Sequence, residues 1–134
     1  MSGIPPSSAA SVVAERVYLV DQDLITRYAH VSGDMNPLHT DPEFAKTTQF
    51  GRTIAHGMLT LAFVSQAMRD WAGAGWENSG LLQVTFVAPV FAGDEVIVQI
   101  EAQPGSSLCK VQCRVGDRLT LTGQAGVAGE LPHG

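Results

Sequence analysis

Residues 55–72, AHGMLTLAFVSQAMRDWA, restrict the fold more than any other stretch of this chain. They read as one helix, about 27 Å long at 1.5 Å per residue. Met58, Leu59, Leu61, Ala62, Phe63, Val64, Ala67, Met68 and Trp71 leave no clean polar face before Arg69 and Asp70. A helix apolar nearly all round has to be wrapped, and a curved sheet can do that. Four alternating segments downstream supply one: 81–87, 95–102, 108–115 and 118–127, separated by turns at Ala92-Gly93-Asp94, Pro104-Gly105-Ser106 and Gly116-Asp117. Such short connections imply antiparallel strands in a meander. Val96, Val98 and Ile100 share one face, as do Cys109, Val111, Cys113 and Val115, so one side of the sheet faces the helix.

The first half of the chain adds a strand and short helices. VVAERVYLV (12–20) suits a first strand, and Asp21 then caps a helix carrying Leu24, Ile25, Tyr28 and Val31 at helical spacing. Gly33 lets the chain leave that helix with positive φ. The Asn36-Pro37 pair is expected to keep the backbone extended as far as His39, and Asp41-Pro42 starts a second, brief helix ended by Thr47, Thr48 and Gly51. Gly73 to Gly80 reads as a Gly and Trp loop. Strand, helices, long buried helix and antiparallel sheet together describe an α+β domain.

At 134 residues the chain is one domain, expected over 12–128, with a flexible Pro, Ser and Ala leader at 1–11 and a tail at 129–134. Hydrophobic residues make up 45% and charged residues 16%. So few charges on so small a domain leave apolar surface for another subunit to cover, and a homodimer is expected. A net charge of -5 with scattered Lys and Arg excludes generic binding to nucleic acid or anionic membranes. An anionic ligand would be held by a few local cations such as Lys46 or Arg52. Cys109 and Cys113 lie on one strand face, roughly 13 Å apart at the strand rise, too far to bridge. Two unpaired thiols, no signal-peptide pattern and a longest apolar run of only Leu59 to Val64 point to a reducing, cytoplasmic setting with no membrane span.

Chemistry concentrates in SGDMNPLHTDPEFAKTTQFGRTIAHGM at 32–58. Asp34 and His39, held by Gly33 and Pro37, can both reach a single water or substrate atom, one taking a proton while the other gives one. The same two residues suit an Asx turn and a cap hydrogen bond equally well. His56-Gly57 opens the long helix, where unpaired N–H groups carry partial positive charge. The Gly57 N–H, with no side chain above it, suits an oxyanion-hole donor. His56 on its own reads more simply as a core or capping histidine, Asn36 as loop geometry, and Ser65 as a hydroxyl bonded back to the carbonyl four residues earlier. His30 reads as surface or packing, and the two tryptophans as anchors. Asp34, His39 and His56 match no common metal spacing, and no P-loop, dinucleotide fingerprint or nucleophile elbow is present.

SGDMNPLHTDPEFAKTTQFGRTIAHGML at 32–59, with Phe86, Pro89-Val90 and Gly93-Asp94 downstream, resembles the signature of the MaoC-like dehydratases, the (R)-specific enoyl-CoA hydratases. The likeness covers roughly residues 16 to 127. It implies a hotdog fold, in which an antiparallel sheet wraps the 55–72 helix, and a homodimeric working unit. It also implies reversible hydration of a trans-2-enoyl-CoA to the (R)-3-hydroxyacyl product, with no cofactor and no metal. By the same likeness Asp34 activates the water, His39 shares it and handles the proton at Cα, Gly57 donates to the thioester carbonyl, and Ser65 helps hold the acidic residue. Asn36, His56 and Met58 fall on the substrate-binding side. Thr53 departs from the pattern, standing where many relatives carry proline. Fatty-acid dehydratase subunits that act on carrier-protein thioesters share a very similar motif, so a 3-hydroxyacyl carrier-protein dehydratase is the alternative. A hotdog thioesterase and a non-catalytic thioester-binding subunit are the other two. The intact D-x-N-P-x-H string favours hydration over both.

Overall fold

A computed structural model describes residues 12–127. The expected leader at 1–11 and tail at 129–134 lie outside them. In chain order the elements are β1 (Val12–Val20), α1 (Gln22–Ser32), α2 (Pro37–Thr40), α3 (Pro42–Ala45), α4 (Gly57–Ala72), α5 (Ala74–Ser79), β2 (Gly80–Phe86), β3 (Asp94–Ala102), β4 (Leu108–Val115) and β5 (Arg118–Val127). The five strands make one antiparallel sheet in the order β1-β3-β4-β5-β2, with α4 packed against β1, β3 and β4. This α+β arrangement of sheet and central helix is the hotdog fold.

The register explains the core. Val98 lies opposite Cys113 and Ile100 opposite Val111, and all four side chains are buried together with Phe63, Val64, Ala67 and Met68 of the helix. Both cysteines point inward as free thiols. Burial in this apolar layer pushes the Cys109 thiol up to about 11 and the Cys113 thiol up to about 12. Tyr18 of β1 stacks on Phe63 with ring centroids 4.2 Å apart, fixing the edge strand to the helix.

Four details differ from the sequence reading. β3, β4 and β5 form the expected meander, but β2 crosses to the far edge and pairs with β5, because residues 87–93 are long enough to carry the chain across the sheet. The Pro37 segment is a helical turn rather than extended. Asn36 alone is held out of the helix (φ -54, ψ 127), and its side-chain oxygen accepts from Leu38 N at 2.9 Å, so Pro37 takes the first helical position. Residues 73–80 include the short helix α5, anchored by buried Trp76. The long helix starts at Gly57 rather than Ala55, since His56 is extended (φ -62, ψ 138) as the N-cap and Ala55 N pairs with Val90 O at 2.7 Å. The sheet covers one flank of α4, and Met58 stays 58% exposed. No helix among the described residues is long and apolar enough to cross a membrane.

Candidate active site

Asp34 enters the site from the end of α1. Gly33, at φ 82 and ψ 0, closes that helix with its N–H on Ala29 O and turns the chain outward. Asp34 Oδ1 accepts from Asn36 N at 3.3 Å, an Asx turn that leaves Oδ2 free. Asn36 is thus part of the loop's geometry. His39 arrives on the α2 turn with Nε2 4.0 Å from Asp34 Oδ2. Its other nitrogen, Nδ1, is 2.8 Å from Ile54 O. A carbonyl oxygen can only accept, so Nδ1 carries the proton and the neutral ring presents a bare Nε2 lone pair to the carboxylate side.

His56 lies behind this pair, only 3% exposed. Its ring stacks on His39 at 3.8 Å and meets the ring of Tyr28 edge-on at 5.0 Å. Nε2 donates to Asp34 O across 3.0 Å, while Nδ1 is buried without a partner among the described residues. His56 therefore holds the backbone of Asp34 through this bond. Gly57 is the first residue of α4, and its N–H has no acceptor within the helix. A Cβ there would come within 3.2 Å of the Phe86 ring, so the absence of a side chain lets this aromatic residue close over the helix N-terminus. Tyr28, Asp34, His39, His56, Gly57 and Met58 line one cavity of about 300 Å³. A second of about 300 Å³, walled mainly by Phe50, Ile54, Phe86, Val87 and Pro89, shares His56 and Gly57 with the first.

Ser65 lies elsewhere. Its position in α4 is roughly 12 Å along the axis from Gly57 at 1.5 Å per residue. Its hydroxyl oxygen accepts from Trp76 Nε1 at 2.9 Å, beside the ion pair of Arg69 and Glu77. Among the described residues Ser65 forms neither a bond to the carbonyl four residues back nor a bond to Asp34. His30 is exposed and takes no part in the site.

Residues the sequence did not single out complete the support. Gln22 Nε2 donates to His39 O at 2.8 Å, and Gln22 Oε1 accepts from Thr53 Oγ1 at 2.6 Å. Thr53, buried and standing where the resembled pattern has proline, thereby ties the loop to α1. These groups come from distant parts of the chain, and no local spacing marks them. Asp34, His39 and His56 have donor atoms within 4.8 Å of one another, a separation a metal ion could bridge. The two imidazoles are nearly parallel, at 24° and 3.8 Å, so their in-plane lone pairs run side by side instead of meeting at one point about 2 Å from each. The arrangement suits acid–base chemistry: two acceptors facing across a gap the width of a water, next to a helix N-terminal N–H.

The family model described as MaoC like domain matches residues 6–122. Over 108 residues the chain is 37% identical to an (R)-specific enoyl-CoA hydratase of Aeromonas caviae, covering 75% of this chain and 80% of that protein. Over 110 residues it is 32% identical to a 3-hydroxybutyryl-CoA dehydratase of Methylorubrum extorquens, covering 75% and 68%. The solved structure of an (R)-hydratase from A. caviae superposes with a TM-score of 0.70 at 32% identity, over 89% of this chain and 93% of that one.

Proposed function

The chain belongs to the MaoC-like domain family, and from that footing we propose that it is a hydro-lyase that adds water to a trans-2-enoyl-CoA to give the (R)-3-hydroxyacyl-CoA, and runs the dehydration in reverse. The observation that carries this reading is the facing of Asp34 Oδ2 and His39 Nε2 at 4.0 Å, in one cavity with Gly57. Both atoms accept hydrogen bonds, so one water between them donates a hydrogen to each and turns a lone pair outward. As its oxygen attacks C3 of the enoyl group, the proton it releases passes to the acceptor pair and returns to C2 from His39 Nε2. Charge that builds on the thioester oxygen meets the Gly57 N–H and the positive end of α4. One O–H bond and the C2–C3 π bond break, and one C–O and one C–H bond form. No redox change is involved, and the residues supply every proton step.

His56 positions Asp34 through its carbonyl, and Met58 closes the exposed side of the cavity. The working unit is a homodimer: Met58, Phe86 and Val87 are exposed around the helix N-terminus and the free edge of β2, among the described residues. The test is to mix the purified protein with crotonyl-CoA and follow the enoyl-thioester absorbance, then resolve the product's configuration. Loss of the band with formation of (R)-3-hydroxybutyryl-CoA is expected. An unchanged band, or release of free thiol without hydration, would overturn the reading.

A further inference from the structure

Eight lysines and arginines carry the positive charge of a chain whose net charge is -5. Four are matched one to one: Arg16 with Asp70, Arg27 with Asp23, Lys46 with Glu43 and Arg69 with Glu77. At Asp94 the ratio changes. Its Oδ2 accepts from Arg118 Nη2 at 2.9 Å, while Arg52 Nη2 lies 3.6 Å from Oδ1. Both guanidiniums also lie against the Phe91 ring, 4.3 Å and 5.3 Å from its centroid for Arg52 and Arg118. Two cations share one carboxylate. Arg118 is further committed to Pro89 O at 2.7 Å, whereas Arg52 donates only a long bond to Ala92 O at 3.4 Å and its side chain stays 56% exposed. Arg118 therefore neutralises Asp94 and leaves the charge of Arg52 facing outward.

This cluster continues the apolar cavity beside Gly57. Two extended segments pair there: Ala55 N donates to Val90 O, Ala92 N donates to Thr53 O at 3.2 Å, and Ile54 bridges to Phe91. Gly57, Phe86, Ile54 and Val90 all line the cavity, and Arg52 and Phe91 are close in the chain to its lining residues Ile54 and Val90. At about 3.3 Å per extended residue, the chain from Gly57 back to Arg52 spans up to roughly 16 Å.

We propose that Arg52, freed by Arg118, binds the phosphate of a 4′-phosphopantetheine arm lying in this cavity. That group is common to CoA and to carrier-protein thioesters. The inference rests on the thioester reading above, which puts the carbonyl at the Gly57 N–H. From the sulfur to the phosphorus such an arm has about thirteen bonds, roughly 15 Å when extended, within the upper limit of the span from Gly57 to Arg52. With C2 and C3 at Asp34 and His39 and the carbonyl at Gly57, the sulfur points away from the catalytic pair, into this second cavity. Its mainly apolar wall suits the methylenes and methyl groups of the arm, and a planar guanidinium at its end suits a phosphate.

The test is calorimetric binding of 4′-phosphopantetheine and of pantetheine to the full chain, a readout that needs no turnover. The wild type is expected to hold the phosphorylated compound at least tenfold tighter. Arg52→Gln should remove that preference and change pantetheine binding less than twofold. Equal affinity of the wild type for the two compounds, or equal weakening of both by Arg52→Gln, would overturn the proposal. Should that variant fold poorly, the wild-type Arg52 Nε–H resonance decides: it should shift with 4′-phosphopantetheine and not with pantetheine, and a silent resonance refutes the site. Tighter binding of CoA than of 4′-phosphopantetheine would identify CoA as the source of the phosphate. The same resonance shift with a holo carrier protein, and no gain with CoA, would identify the carrier. Phosphate-dependent binding by a protein that leaves crotonyl-CoA unchanged refutes the hydratase reading and keeps the site. Hydration of crotonyl-CoA with no phosphate preference does the reverse.

Discussion

At the scale of single residues, the site depends on which atom of each imidazole carries its proton. The backbone carbonyls of Ile54 and Asp34 decide this by accepting from His39 Nδ1 and His56 Nε2. His39 in turn is held by Gln22, and Gln22 by Thr53. Thr53→Val removes a buried hydroxyl and leaves Gln22 Oε1 unpaired, a loss of about 1–3 kcal/mol. Thermal melting should show it, together with a fall in kcat that a purely structural substitution elsewhere would not produce. Gly57→Ala places a Cβ within 3.2 Å of the Phe86 ring and should lower kcat/KM by about tenfold or more by displacing the N–H donor. Phe86→Leu in the same chain should recover part of that loss in steady-state kinetics, and a double variant no better than Gly57→Ala would count against the packing explanation. That Asp34, His39 and Gly57 would gather at one place was legible in the sequence, because they fall in the single stretch 32–58 whose residue types have a clear chemical use. Gln22, Thr53 and the Ile54 carbonyl were not, since their contribution appears only when three separate segments meet.

At the scale of elements, the same contrast holds. Caps and alternation marked the strands and α1 well: Asp21 Oδ1 accepts from Leu24 N at 2.8 Å, and the inward faces of β3 and β4 are the ones alternation indicated. The edge position of β2 was not legible, because strand order is set by where a linker crosses and not by the strand's own pattern. The short helix α5 was missed because six residues, one of them Gly75 and the run flanked by Gly73 and Gly80, carry little helical signal without the burial of Trp76. The bond from Trp76 Nε1 to Ser65 Oγ joins α5 to α4. Ser65→Ala and Trp76→Phe should each destabilise by about 1 kcal/mol, and the pair by less than the sum, in a denaturation double-mutant cycle.

The thiols of β4 give the sheet a pH dependence. Burial raises both above the unfolded thiol near 8.5, so the folded chain binds more protons than the unfolded chain in between. The stability linked to them is complete below about pH 8.5 and is lost as pH climbs toward 11 and 12. Melting temperatures under reductant from about pH 8 to about pH 10.5 should fall more steeply for the wild type than for Cys109→Ala/Cys113→Val.

At the scale of the whole molecule, one flank of the central helix lies on the sheet and the other presents Met58 and the neighbouring Phe86 and Val87. Sedimentation should give twice the 14.2 kDa chain mass, and a monomer at micromolar concentration would contradict the homodimer. The fold then serves a single purpose: it brings the end of α1, the α2 turn and the N-terminus of α4 to one cavity. The most direct measurement of that purpose is the turnover of crotonyl-CoA by Asp34→Asn beside the wild type, with melting curves for both. Loss of at least about 10²-fold in kcat, with the melting temperature kept, is the expected result. Turnover near the wild-type rate in a folded Asp34→Asn protein would contradict the role of the Asp34 and His39 pair.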